Sequence, residues 1–393
     1  MVNDLALQRN KYRHLSDEEW RWFLQQVEGR ERTADKLPTF AAIDDWWYPV
    51  RLSCEQCSSE TTASYKREIL QAKDSLSMVD LTGGYGVDTY FLSRAFAHTD
   101  YVEQNAELCR IAAHNFNLSS DQAPYTEISV HNSSAEDFLN TAGQYDLIFL
   151  DPARRDSHGC KVFRLEECTP NVVEILPTLL AHLTTDGQLM LKLSPMLDIS
   201  LALSQLSTLN NQLHWDVHVV AVKNEVKEVL LVSRKQNADG PKTTITAIEL
   251  TQREQAFVFT REEEFSAERS YSPQDAREKP IYLYEPNAAI LKAGAYKLVG
   301  ERFGLHKADN NTHLYFSDQL VTDFPGRIWH TQSVIRDRKD LPSDMTQGNI
   351  LTRNYPLTPE QLKKKLHLRD GGTAFVIGLR IDGKPTLLLA ERV

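Results

Sequence analysis

Apolar residues recur along this chain with two different periods, and each change of period marks a passage between strand and helix. An apolar run at 78–81 gives way, after three glycines, to helical spacing over 87–96. The exchange then repeats: strands at 98–102, 127–131, 145–150 and 188–193, with helical periodicity over 105–116 and 170–183. Residues 214–222 and 227–234 alternate about a short turn and predict a hairpin. Strands separated by helical stretches predict an α/β domain with a largely parallel sheet, closed here by an antiparallel pair.

The flanks read differently. Residues 1–75 are helical in pattern: Ser16 precedes Asp17, Glu18 and Glu19, and Trp20, Phe23, Leu24 and Val27 recur at helical spacing. Trp46-Trp47-Tyr48-Pro49 interrupts them, and 58–66 leads into another helix before the first core strand. A polar, turn-rich stretch at 235–242 marks a boundary near 240. Beyond it come strand-like runs at 243–250 and 256–260, a charged excursion at 261–264, and a strand at 281–287 followed by a helix from 288 to about 298. Thr358 to Gln361 cap a basic helix, and 373–380 and 385–389 flank Asp382-Gly383, a strong hairpin signal.

Chemistry enters at the first glycine turn. Asp80 ends the strand, and Thr82-Gly83-Gly84-Tyr85-Gly86 carries the chain into the helix. A tight turn there brings the backbone close to a nucleoside cofactor, beside the unpaired N–H groups of a helix N-terminus. A nicotinamide fingerprint needs a third glycine where this chain has Thr89. The pattern D-x-T-x-G-x-G instead resembles motif I of class I S-adenosylmethionine methyltransferases, with Thr82 replacing the first glycine. Further matches follow in order. Glu103 ends the second strand, about 20 residues on, where an acid accepts ribose hydroxyls. Ser134, Ala135 and Glu136 resemble the adenine-contacting turn, with Ser134 in place of the usual acid. Asp151-Pro152-Ala153-Arg154 resembles the (D/N)-P-P-x loop of many nucleic-acid methyltransferases. The resemblance assigns Asp80, Thr82, Gly84, Gly86, Asp88, Glu103, Ser134, Ala135 and Glu136 to S-adenosylmethionine, and Asp151, Pro152, Arg154 and Lys192 to catalysis.

With 393 residues, the chain suggests two or three domains, and 41% hydrophobic residues suffice for ordinary cores. No run of about 20 apolar residues occurs, and no signal-peptide pattern opens the chain, so a cytoplasmic protein with no membrane partner is expected. Five cysteines, an odd number, do not form a disulfide framework; Cys54 and Cys57 make a C-x-x-C without a second such element, and no metal is expected. The net charge of −10 argues against wrapping nucleic acid over the whole surface. Basic charge is local: 11 Lys and Arg against 7 Asp and Glu from Val334 onward, and Arg154, Arg155, Lys161 and Arg164 against Asp156 alone. These four basic residues are the candidate RNA-binding loop.

The resemblance extends over nearly the whole chain. Glu55-Gln56-Cys57-Ser58-Ser59-Glu60, the Asp151 to Arg155 loop, Tyr284-Glu285-Pro286-Asn287-Ala288-Ala289, and Arg353-Asn354-Tyr355-Pro356 with Gly371-Gly372 are similar to a bacterial methyltransferase family. Its members carry ferredoxin-like and THUMP-like domains after the S-adenosylmethionine core. The implied architecture is a Rossmann-like class I sheet at 76–240, behind a helical segment at 1–75 and ahead of small α+β domains at 241–333 and 334–393. The implied function is methylation of an RNA base. Alternatives are a small-molecule or protein substrate, or a non-catalytic RNA-binding relative. Methyl transfer from a sulfonium is an in-line displacement, so alignment matters most, and Asp151 is the leading group to face the acceptor. Covalent C5 chemistry would require a cysteine after the fifth strand, where the chain reads Leu191-Lys192-Leu193-Ser194-Pro195-Met196.

Overall fold

The computed structural model describes residues 9–70, 77–119, 127–153, 164–210, 213–235, 243–251, 256–268, 270 and 281–393. The chain divides into two compact units, Met1–Asp216 with Val229–Pro241, and Val217–Glu228 with Lys242–Val393.

The first unit carries near its start the helix Asp17–Thr33, whose Ser16 cap and Glu19 satisfy one another's N–H groups in a capping box. Short helices Arg51–Gln56 and Glu60–Glu68 follow. Aromatic side chains explain how this segment attaches. Phe40, Trp46 and Tyr48 pack with Tyr85, Tyr90, Tyr101 and Phe116 in one buried cluster, and the Trp46 indole donates to the Tyr85 hydroxyl at 2.9 Å.

Five parallel strands form the centre: β1 (Ser77–Asp80), β2 (His98–Glu103), β3 (Glu127–Asn132), β4 (Tyr145–Leu150) and β5 (Leu183–Leu193). Their order is β3-β2-β1-β4-β5. The order therefore reverses between β1 and β4, the switch point at which an open α/β sheet makes its crevice. Helices Val87–Ser93, Ala106–Ser119, Ala135–Leu139 and Val172–Ala181 connect these strands. The first ends at Ser93 rather than Phe96, because Ala95 and Phe96 bond to carbonyls only three residues back and tighten the last turn. The expected hairpin is β6 (Leu213–Val222) and β7 (Glu225–Lys235), with β7 antiparallel to β5. Its turn residues Lys223 and Asn224 have φ of 53° and 59°, as a two-residue hairpin turn demands.

The hairpin tip belongs to the second unit. There β8 (Thr244–Glu249) pairs parallel with β6, and β9 (Phe257–Thr260) antiparallel with β8. The Glu249 carboxylate accepts the N–H groups of Lys223 and Asn224 at 3.0 and 2.6 Å, fixing the turn. The charged run after Thr260 is a helix, Arg261–Ser266, made possible by a Thr260/Glu263 capping box.

A seven-stranded sheet completes this unit. It comprises β10 (Tyr282–Pro286), β11 (His306–Asp309), β12 (Thr312–Ser317), β13 (Gly326–Ile335), β14 (Asn349–Arg353), β15 (Ala374–Ile381) and β16 (Lys384–Arg392), in the order β11-β12-β10-β13-β16-β15-β14. The helix expected over 288–298 is two pieces, Ala288–Ala293 and Leu298–Arg302, because Gly294 takes φ 85° and ends the first. Asp382 and Gly383, with φ of 47° and 76°, turn β15 into β16 as expected. Leu283, Phe316, Trp329 and Ile377, from four different strands of this sheet, share one core. Among the described residues, no helix is long and apolar enough to cross a membrane.

Candidate active site

The turn after β1 is shaped by what surrounds it. Gly84 and Gly86 have φ of 55° and 83°, a region that L side chains rarely adopt. A Cβ on Gly83 would meet the Tyr101 ring at 2.1 Å, so that glycine is required by packing. Tyr101 in turn donates its hydroxyl to the Gly84 carbonyl at 2.6 Å. Asp80, 1% exposed, accepts from the Thr82 N–H and the Thr89 hydroxyl at 3.0 and 2.6 Å. Burial pushes its carboxyl up to about 7.

Thr82, the residue that departs from the glycine pattern, has its own task. Its hydroxyl oxygen accepts the N–H of Asp151 at 2.7 Å and ties the β1 turn to the loop after β4. Glu103, at the end of β2, accepts the N–H of Gly84 at 2.9 Å and that of Asn105 at 2.8 Å. Three strand ends thus converge on the glycine turn.

A cavity of about 530 Å³ opens there. Asp80, Thr82, Gly84, Gly86, Asp88 and Glu103 contribute to its lining, and so do Asp151, Pro152 and Lys192. Beside these lies a chain of charge. The Lys192 ammonium donates to Asp151 Oδ2 at 2.5 Å and to Asp88 Oδ2 at 3.2 Å. Asp88 also meets the fully buried Lys66 ammonium at 3.1 Å and accepts the Ser58 hydroxyl at 2.7 Å. Burial alone would raise the Asp88 carboxyl, but the Lys192 and Lys66 ammonium groups, with Ser58, hold it well below the usual carboxylate range. Two cations and two anions alternate, which is what makes the burial of Lys66 tolerable.

The cavity does not gather every expected residue. Ser134, Ala135 and Glu136 are not among its lining residues, and Ser134 instead caps the helix Ala135–Leu139 by accepting the Asp137 N–H. Arg164 is likewise absent from the lining and lies 3.5 Å from Glu166. Arg154, Arg155 and Lys161 lie outside the described residues. Residues that the sequence did not assign to the site also contribute: Ser53, Gln56, Cys57, Leu108 and Met196 line the cavity. Gln56 and Cys57 belong to the Glu55 to Glu60 segment, whose resemblance to a methyltransferase family was the available signal. Burial raises the Cys57 thiol, which disfavours the thiolate form.

A protein of Porphyromonas gingivalis W83, named as a methyltransferase, shares 32% identity over 96% of this chain and 92% of its own, with a TM-score of 0.82. The chain belongs to that methyltransferase family. Residues 282–325 match a ferredoxin-like domain model and 326–392 a THUMP domain-like model. The seven-stranded sheet therefore spans both matched segments, joined where β10 pairs with β13. An rRNA methylase of Streptococcus thermophilus matches at 13% identity over 45% of this chain and 95% of its own, with a TM-score of 0.33. A ribosomal protein L11 methylase of Lactobacillus delbrueckii subsp. bulgaricus matches at 17% identity over 45% of this chain and 80% of its own, also with a TM-score of 0.33. Likenesses this partial carry no argument about substrate. No functionally curated protein matches the sequence.

Proposed function

We propose that this chain methylates a base of RNA, with S-adenosylmethionine as methyl donor and Asp151 facing the acceptor. The observation that carries the reading is a single cavity that joins the glycine turn and Glu103 to Asp151 and Lys192. The residues suit the donor. At Gly84 an added Cβ would meet nothing nearer than the Thr82 carbonyl at 3.8 Å, so the backbone faces open space. A carboxylate stands at the end of β2, where a ribose would place its hydroxyls. Glu103 would hold the ribose, while Gly84 and Gly86 would pass beneath the methionine end. When bound, S-adenosylmethionine supplies an electrophilic methyl group.

The chain's own residues do the rest by alignment. Asp151 would accept an N–H of the acceptor, and Thr82 and Lys192 fix the backbone and carboxylate of that residue. RNA is favoured by the similarity of the loop after β4 to nucleic-acid methyltransferases and by the THUMP domain-like match. The test is transfer of radiolabelled methyl groups to total RNA from a strain lacking the gene. Label in RNA supports the reading; label only in protein or small molecules, or none with S-adenosylmethionine bound, overturns it.

A further inference from the structure

The loop after β5 sets an exposed apolar side chain into the wall of the cavity. Met196 is 61% exposed, yet it lines the cavity together with Asp151, Pro152, Ala153, Lys192 and Ser194. Its position is built rather than incidental. The Met196 N–H donates to the Ser194 hydroxyl oxygen at 3.1 Å, and the Leu197 N–H to the Ser194 carbonyl at 3.0 Å. Ser194 and Leu197 are both buried, so the turn is anchored on either side of the methionine. The lining near Asp151 is thus apolar at Pro152, Ala153 and Met196, while its polar groups include an acceptor and a donor, Asp151 and Lys192. Asp151 Oδ2 is engaged by Lys192, and Oδ1 has no partner among the described residues.

An apolar surface with one edge of paired polar groups suits a flat ring that presents N–H donors at its rim. A thioether is polarizable and favours contact with an aromatic face. We propose that Met196 is the contact on which a single heteroaromatic base rests, with an N–H of that base directed to Asp151 Oδ1. This deepens the reading of the site as a base methyltransferase and rests on it. It assigns the choice of a planar acceptor to the β5 loop.

The chain contains five methionines, so each ε-methyl group can be followed separately after labelling with [methyl-13C]methionine. The full-length protein, saturated with S-adenosylhomocysteine, is titrated with adenosine, guanosine, cytidine and uridine, and with ribose as the ringless control. Met196→Ala assigns the signal. The expected result is an upfield ring-current shift of the Met196 methyl with at least one nucleoside and none with ribose. Met196→Ala should also raise the KM for total RNA by roughly two- to tenfold, the range of a sulfur–aromatic contact, with S-adenosylmethionine affinity unchanged. Met196→Leu, which keeps the apolar volume, should restore part of that loss. A methyl signal that stays in place with all four nucleosides, or moves equally with ribose, overturns the proposal even if RNA is methylated. A shift with nucleosides but no methylation of any RNA fraction supports the base contact and removes the RNA reading instead.

Discussion

Lys192 places its ammonium 2.5 Å from the Asp151 carboxylate and 3.2 Å from that of Asp88, so Asp151, the proposed acceptor-facing residue, is held by the charge chain beside the cavity. Asp151→Asn keeps the shape but removes the charge and should lower kcat by roughly 10²-fold. Its affinity for S-adenosylmethionine should be nearly unchanged. Lys192→Met should lower kcat as well, and also reduce thermal stability, because Asp88 loses one of its two cations. Single-turnover kinetics and calorimetry on both variants check this; a collapse of cofactor binding with normal turnover per bound cofactor would reassign Asp151.

Deeper in the same chain, Lys66 has no access to solvent. Lys66→Met leaves Asp88 buried with half of its compensation, which should cost about 3–5 kcal/mol of unfolding free energy. A urea titration of the full chain at neutral pH measures it. A loss below about 1 kcal/mol would place the pair among exposed, weakly contributing ion pairs.

Glu103, the proposed ribose partner, also serves the loop, since its carboxylate accepts the Gly84 N–H. Glu103→Gln can still accept that bond and should weaken S-adenosylmethionine less than Glu103→Ala, for which a loss of roughly 1.5–3 kcal/mol is expected from a charge-assisted hydrogen bond. Equal affinities for wild type and both variants, by calorimetry, would remove Glu103 from the site.

What the sequence made legible was local. Strand periods, the Asp80 to Gly86 turn and the strand-end positions of Glu103 and Asp151 are all short-range signals, and a parallel sheet brings strand ends to one edge. The partners of Asp88 were not legible, because Ser58 lies 30 residues before it and Lys192 104 residues after it. Lys66, in Tyr65-Lys66-Arg67, reads as a solvated helix position; only tertiary packing buries it. The helix Arg261–Ser266 was readable in principle, from the Thr260 and Glu263 spacing of a capping box, but its run of acids suggests a loop. The two pieces of the helix after β10 follow from Gly294, whose left-handed φ depends on the fold around it.

Acid–base behaviour offers a separate check on Asp80. Its carboxyl is raised from 3.8 to about 7, so the folded state holds a proton more tightly than the unfolded chain. That contribution is fully present below the unfolded value and is lost as pH rises through about 7. Asp80→Asn carries no such proton. Its unfolding free energy relative to wild type should therefore improve between about pH 4 and pH 8, by a few kcal/mol at most, since tenfold tighter proton binding is worth about 1.4 kcal/mol. Parallel pH profiles for the two proteins would show that folding does not raise the Asp80 carboxyl.

RNA docking, if it uses the C-terminal segment, should not use its three consecutive lysines equally. On the helix Pro359–Leu366, Leu362 and Leu366 are buried, and Lys363 lies 2.5 Å from Asp370. Lys364 and Lys365 are exposed and make no ion pair among the described residues. Phosphate contacts release counterions, so each one adds roughly 0.7 to 0.9 to the slope of log affinity against log salt. The double variant Lys364→Gln with Lys365→Gln should shrink that slope by up to about twice this amount, and Lys363→Gln should change it little. Filter binding of total RNA across a salt series measures the slopes, with S-adenosylmethionine affinity as the control for folding. Unchanged slopes in folded variants would exclude this helix from RNA docking and leave the phosphate contacts to other parts of the chain.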